Sequence, residues 1–203
     1  MSDETSTSSV PESLIRGIDS TIQDDYAGVT LMQLFKASGE AHSDKGISIY
    51  DRKGISAEKR LYPEIFVNIQ RAASCLAAQG VKRGDRVLIS LPTSWELLEL
   101  WLGCVYLGAL PAAIAPPIGG LGPTSSFHER LERFRSVISA NHIVSTDALV
   151  EYIQGKQIEM LTPICVSATE LLSRKCELIG DFADVKQTDL AFLQFTSGST
   201  GMP

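Results

Sequence analysis

Between residues 62 and 115 the hydrophobic pattern changes character three times, and each version predicts a different element. In YPEIFVNIQRAASCLAAQG, Ile65, Ile69, Ala72 and Leu76 fall at i, i+4, i+7 and i+11, the spacing of one buried helix face. Pro63 suits a first turn, where an N–H needs no partner, and Gly80 ends the helix where a left-handed cap is cheap. Val87–Leu91 is a continuous apolar run of strand length. Ser94 then predicts a cap for WELLELWLGCVYLG, with Glu96 and Glu99 in the first turns, where the helix dipole favours acids. The other positions of that helix are apolar on almost every face, so it belongs between layers. A strand at Leu110–Ala115 follows, broken by Pro116-Pro117.

The flanks continue the alternation. Thr30 predicts an N-cap for a helix carrying Leu31, Leu34 and Phe35. Gly46–Asp51 reads as a short strand and DRKGISAEKR as a charged turn. After the loop IGGLGPTSS, Ser126-x-x-Glu129 predicts a capping box for a helix with Leu131, Phe134 and Val137 or Ile138 on one face. His142–Thr146, Leu161–Val166 and Leu190–Phe195 read as strands, with helices at Asp147–Gln154 and Ala168–Lys175. The fold class expected is α/β: alternating β-α units around a mostly parallel sheet, with ligands at the carboxyl ends of its strands.

Composition narrows the function classes. The 203 residues are 44% hydrophobic and 21% charged, enough for one domain with a real core. The net charge is −6, but residues 1–25 carry six acids against the single base Arg16 and read as a flexible acidic tail. The body is nearly neutral and holds no basic stripe, which argues against nucleic acid. The polar start has no signal-peptide core, and the longest apolar stretch, Leu100 to Ala115, is shorter than the roughly 20 residues a membrane span needs. A soluble, cytoplasmic protein is expected. Cys75, Cys104, Cys165 and Cys176 form no C-x-x-C pair and read as reduced, buried or partly buried thiols. Arg83-Gly84-Asp85 fits a helix-to-strand turn. His42, His128 and His142 are far apart and suggest no metal site. Trp95 and Trp101 read as core, and the alternating charges from Glu129 to Arg135 as a solvated helix face with local ion pairs.

The chain ends LQFTSGSTGMP. Gly198 and Gly201 allow the backbone to turn its N–H groups into one concavity, and Thr196, Ser197, Ser199 and Thr200 add four hydroxyls. Such a loop directly after a strand is built to cradle phosphate. It is neither a Walker loop nor a dinucleotide fingerprint, since G-x-x-x-x-G-K-[ST] and G-x-G-x-x-G are both absent. On composition alone a flexible Ser/Gly linker is an equal reading.

LAFLQFTSGSTGMP resembles the phosphate-binding motif of the adenylate-forming enzymes, a superfamily of acyl-CoA synthetases, fatty acyl-AMP ligases, peptide-synthetase adenylation domains and luciferases. Phe195 to Pro203 match the motif position by position. Upstream, Tyr62, Glu64, Gly80, Gly84, Asp85, Arg86 and Val87 resemble the family's early helix-turn-strand, and Gly108-Ala109 its next helix-to-strand joint. Pro116-Pro117 followed by HERLERFRSVIS is most similar to the fatty acyl-AMP ligases and related stand-alone ligases. The resemblance implies the N-terminal portion of the large adenylate-forming domain over residues 26–203, ending inside the phosphate motif. It further implies ATP and Mg²⁺, activation of a carboxylic acid, such as a fatty acid, to an acyl-adenylate with release of pyrophosphate, and transfer to the thiol of CoA or an acyl carrier protein. Thr196, Ser197, Gly198, Ser199, Thr200 and Gly201 would hold the β- and γ-phosphates. The family's adenine-binding, ribose-binding and catalytic-lysine segments follow this motif, so the expectation is an enzyme fragment inactive alone. The alternative is a naturally short, non-catalytic nucleotide-binding or assembly module.

Overall fold

The structure is a computed structural model, and it describes residues 28–51, 53–55, 57–117, 121–122, 125–180 and 184–195. The expected acidic tail and the string Thr196–Gly201 lie outside the described residues, as does part of the loop 118–126.

Helix α1 (Leu31–Ala41) starts as Thr30 predicts: its Oγ1 accepts from the Gln33 N–H at 3.4 Å, and its own N–H donates to Gln33 Oε1 at 2.7 Å. Strand β1 (Gly46–Tyr50) then pairs antiparallel with β2 (Ala57–Leu61). The charged stretch read as a turn therefore contains a strand. AEKRL is almost wholly exposed, so no apolar alternation marks it; pairing with β1, from Gly46↔Leu61 to Tyr50↔Ala57, creates it.

Helix α2 (Tyr62–Ala78) buries Ile65, Ile69, Ala72 and Leu76 completely, and Gly80 turns out of it at φ 96°. Strand β3 (Arg86–Ser90), helix α3 (Trp95–Tyr106) and strand β4 (Leu110–Ile114) follow. Ser94 caps α3 by accepting the Leu97 N–H at 3.3 Å. As its all-round apolar surface requires, α3 is buried over most of its length.

Helix α4 (Phe127–Ile138) buries Leu131, Phe134 and Ile138 and leaves Val137 exposed. The expected Ser126 box does not form. Ser126 lies at φ −99°, ψ 16°, outside the extended region a cap uses, and Ser125 Oγ accepts the Phe127 N–H instead, at 3.3 Å. On the charged face Glu129, Arg130 and Arg133 are exposed, as their alternating signs suggest, while Glu132 and Arg135 are half-buried. Arg130 lies 5.3 Å from the centre of the Phe134 ring, and Arg135 turns back to donate to the Ala140 carbonyl.

Strand β5 (His142–Ser145) and helix α5 (Asp147–Gly155) match expectation. Strand β6 is only Cys165–Ser167, because the Leu161 carbonyl draws the N–H groups of Ile164 and Cys165 into a turn. Helix α6 (Ala168–Ser173) is correspondingly short, and Leu190–Phe195 contributes one bridge, at Leu193, rather than a full strand.

The sheet has the order β4-β3-β5-β6, and every pair is parallel. Both of its faces are covered, which explains the unbroken apolar runs. Val87, Ile89, Val144 and Val166 face Leu76, Leu100, Cys104 and Leu171. Leu88, Ala112, Ile143 and Cys165 face Leu131, Phe134, Leu149 and Ile153. A third cluster around Met32, Ile69, Trp95 and Tyr106 joins α1 to α2 and α3, and Ile47 and Ile49 of the hairpin pack on it.

Candidate functional site

The strand after β3 lies on one side of it, and β5 lies on the other. Such a reversal opens a crevice at the carboxyl ends of the two central strands. Here the register lines up three serines, Ser90↔Ser145↔Ser167, the last residues of β3, β5 and β6. Ser145 Oγ donates to the Ser90 carbonyl at 3.0 Å, and Ser90 Oγ is buried with no partner among the described residues. Ser167 Oγ bonds the Asp147 carboxylate and accepts the Glu170 N–H at 3.1 Å, capping α6. Sequence reasoning missed this row. Its signal was present: three apolar strands, LIS, IVS and CVS, each end in a serine.

A fifth segment arrives beside β4. Leu193 pairs with Ala112 in the parallel sense, its N–H donating to the Pro111 carbonyl at 3.0 Å. Flanking aromatics hold it from both sides. The Phe192 ring is 5.1 Å from that of Trp101 on α3, and the Phe195 ring is 4.5 Å from that of Phe134 on α4. Further back, Asp189 accepts from Arg83 at 2.8 Å and from the Lys186 N–H at 3.0 Å. These contacts hold its carboxyl below the usual carboxylate range, the Lys186 N–H first and the Arg83 guanidinium after it. Parallel pairing sends the chain toward the carboxyl edge, with Phe195 past Leu193 in that direction. Of the site residues the motif implies, Thr196, Ser197, Gly198, Ser199, Thr200 and Gly201, none is among the described residues. What the structure describes is the segment that leads up to them, joined to β4 by the single bridge at Leu193.

A buried ion pair also escaped the sequence reading. Glu99, on the otherwise apolar α3, accepts from Arg60 Nη1 at 2.5 Å and from Asn68 Nδ2 at 2.8 Å. Burial pushes its carboxyl above the ordinary value, while Arg60 and Asn68 pull it back. Arg60 in turn lies 4.6 Å from the centre of the Trp95 ring and bonds Glu58 at 2.8 Å. A glutamate amid WELLELW was the available signal, but its partners come from elements 39 and 31 positions away. The cluster fastens the hairpin to α3.

The joint between the two upstream motifs is structural. The Gly84 N–H donates to the Gly108 carbonyl at 2.9 Å, and the Leu110 N–H to the Asp85 carbonyl at 2.7 Å. These bonds close the amino ends of β3 and β4 on each other, on the side opposite the serine row. His142 Nε2 sits 3.5 Å from Asp85 at the same end, while His128 Nδ1 contacts the Tyr152 hydroxyl at 3.2 Å. Among the described residues no three His, Cys, Asp or Glu side chains are grouped to hold a metal. No helix among them is long and apolar enough to cross a membrane.

Comparison with known proteins agrees with this layout. Acetyl-coenzyme A synthetase of Shewanella sp. (strain MR-4) is 25% identical over 195 residues, covering 80% of this chain and 28% of that protein. The p-hydroxybenzoic acid–AMP ligase FadD22 of Mycobacterium tuberculosis (strain ATCC 25618 / H37Rv) is 28% identical over 161 residues, covering 76% of this chain and 20% of that protein. In fold, the chain superposes with a TM-score of 0.74 on the structure of McyG A-PCP complexed with phenylalanyl-adenylate, at 22% identity over 87% of this chain and 31% of that one. The chain thus spans about 20–30% of the length of the curated relatives it matches. The family described as "AMP-binding enzyme" matches residues 35–203, and the chain belongs to that family.

Proposed function

We propose that residues 26–203 form part of the N-terminal domain of a ligase that activates a carboxylic acid with ATP. The acid's carboxylate attacks the α-phosphate, pyrophosphate leaves, and the acyl-adenylate yields its acyl group to the thiol of CoA or a carrier protein. The observation that carries this reading is the parallel pairing of Leu193 beside β4, which points the chain to the carboxyl edge immediately before its hydroxyl–glycine string.

In this reading Thr196, Ser197, Gly198, Ser199, Thr200 and Gly201 hold the β- and γ-phosphates. The donor set fits that role: hydroxyl and backbone N–H groups donate to phosphate oxygens, and the two glycines let the backbone approach them. It does not fit a bare cation, since the string has no carboxylate. Mg²⁺ would be held by the phosphates and would neutralise charge on the leaving pyrophosphate. The chain's own contribution is positioning and hydrogen bonding.

A fatty acid is the first substrate to test, on the likeness of Pro116-Pro117 and α4 to the fatty acyl-AMP ligases. Aromatic acids belong beside it, since one relative is a p-hydroxybenzoic acid–AMP ligase. The 203 residues alone do not catalyse, because they span under a third of relatives such as the Shewanella synthetase. The test uses the longest native polypeptide containing this sequence. With ATP, Mg²⁺ and hydroxylamine, it is expected to form an acyl hydroxamate and pyrophosphate in equal amounts from one class of acid. Pyrophosphate release without any acid, or no hydroxamate across fatty and aromatic acids, would overturn the proposal.

A further inference from the structure

The four cysteines are not equivalent. Cys104 and Cys165 are buried, and burial alone pushes their thiols up. Cys75, on α2, is also completely buried, but it has company. The segment that follows α6 runs back along α2. Arg174 Nη1 donates to Gln79 Oε1 at 2.5 Å, the Cys75 thiol donates to the Arg174 carbonyl at 3.8 Å, and the Ile179 N–H donates to Ser74 Oγ at 3.0 Å. The Tyr106 hydroxyl then closes on the Ile179 and Gly180 carbonyls at 3.3 and 3.2 Å. Between the first and last of these fastenings sits Cys176, packed against the core cluster that contains Cys75 and two residues beyond the carbonyl that the Cys75 thiol touches. Cys176 is half-buried, so solvent reaches one partner of the pair and not the other.

We propose that Cys75 and Cys176 are a modification site, an intramolecular disulfide formed when a peroxide oxidises Cys176. The Cys176 thiolate attacks one peroxide oxygen, the O–O bond breaks, and Cys176 becomes a sulfenic acid as hydroxide leaves. The Cys75 sulfur then attacks the sulfenic sulfur. The S–S bond forms, the S–OH bond breaks, and the hydroxide takes the Cys75 proton to leave as water. Two thiols and one peroxide give one disulfide and two waters.

The order of events follows from the surroundings. Burial, with the Cys176 contact, pushes Cys75 up to about 11, so it stays a thiol and is shielded from the oxidant. The guanidinium groups of Arg71 and Arg174 oppose that shift at Cys75. Arg71 is fixed there by donating to the Leu172 carbonyl at 3.0 Å. The bond would pin the 174–180 segment to α2 and close a loop containing β3 through α6. A long closed loop removes more freedom from the unfolded chain than a short one.

The test is a thiol count on the full chain after a few-fold excess of hydrogen peroxide, followed by denaturation and maleimide labelling. The expected result is loss of two of the four thiols, with a peptide linking Cys75 to Cys176 that is lighter by two hydrogens and released by dithiothreitol. The thermal midpoint should rise on oxidation and fall back on reduction. Cys176→Ser should keep its three remaining thiols. Cys75→Ala, which tests the second step without burying a hydroxyl, should leave a sulfenic acid on Cys176 that dimedone traps. The proposal is overturned if all four thiols survive, if wild-type Cys176 is trapped by dimedone while Cys75 stays free, or if Cys176 links two chains instead.

Discussion

Arg60 and Glu99 meet at 2.5 Å although one lies on an exposed hairpin and the other inside an apolar helix. The Glu99 side chain is only 10% exposed, so its charge depends on Arg60 and Asn68 for compensation. Arg60→Met should therefore destabilise the chain by about 3–5 kcal/mol, the usual cost of leaving a buried charge unpaired. Arg60→Met with Glu99→Leu should recover most of that loss. Urea unfolding of the single and double variants measures both.

The same pair predicts a pH dependence. Burial holds the Glu99 carboxyl above its ordinary 4.5, so the folded state takes up this proton at higher pH than the unfolded chain. Stability contributed by that uptake grows as pH falls through the window above 4.5 and is lost as pH rises. Removing Arg60 raises the carboxyl further and widens the window. The deficit of Arg60→Met should be largest at neutral pH and smaller at about pH 5.

Gly46 opposes Leu61 where the hairpin begins, and a Cβ on it would lie 1.9 Å from the Arg60 carbonyl oxygen. Gly46→Ala must separate the strands at that point, moving the residue that neutralises Glu99. A loss of about 1–3 kcal/mol is expected, the range for overpacking. Amide exchange should quicken in β1 and β2 and stay unchanged in the parallel sheet.

The serine row gives a contrast between neighbours. Ser90 Oγ is buried with no partner among the described residues, so Ser90→Ala gives up no hydrogen bond that they make and should leave the melting temperature unchanged or raised. Ser145→Ala loses the bond to the Ser90 carbonyl and should cost about 1 kcal/mol. Calorimetry of the two variants side by side decides the point.

How much of this was legible from the chain depended on whether the cause was local. The helix carrying Ile65, Ile69, Ala72 and Leu76 was readable because its burial repeats with the helix period. The buried strands were readable because a parallel sheet covered on both faces needs continuous apolar runs. AEKRL was not readable, since it is a strand only through β1. Ser126 misled because its backbone does not take the extended conformation of a cap, and Leu161 misled because a buried leucine serves a turn as well as a strand. Resemblance of the terminal string implied a phosphate-binding role, while the pairing of Leu193 with Ala112 just before it is a long-range contact. Glu99 announced itself by composition, but nothing local named Arg60.

Leu193 is the hinge of the functional account. Leu193→Pro deletes the N–H that donates to the Pro111 carbonyl. With one hydrogen bond at stake, the global cost should be only about 1 kcal/mol. ATP-dependent activity of the longest native polypeptide should nevertheless drop at least tenfold, while Leu193→Val, which keeps the N–H, should stay near wild type. Comparing the two variants separates backbone pairing from side-chain packing.

The most direct measurement is carboxylate-dependent ATP–pyrophosphate exchange by that polypeptide, wild type against Thr196→Ala/Thr200→Ala. The predicted result is exchange that requires the acid and falls by about tenfold or more in the variant, in keeping with the loss of donors to developing phosphate charge. Exchange at the wild-type rate in the variant, or no acid-dependent exchange in either protein, would contradict the assignment of Thr196–Gly201 to the phosphates.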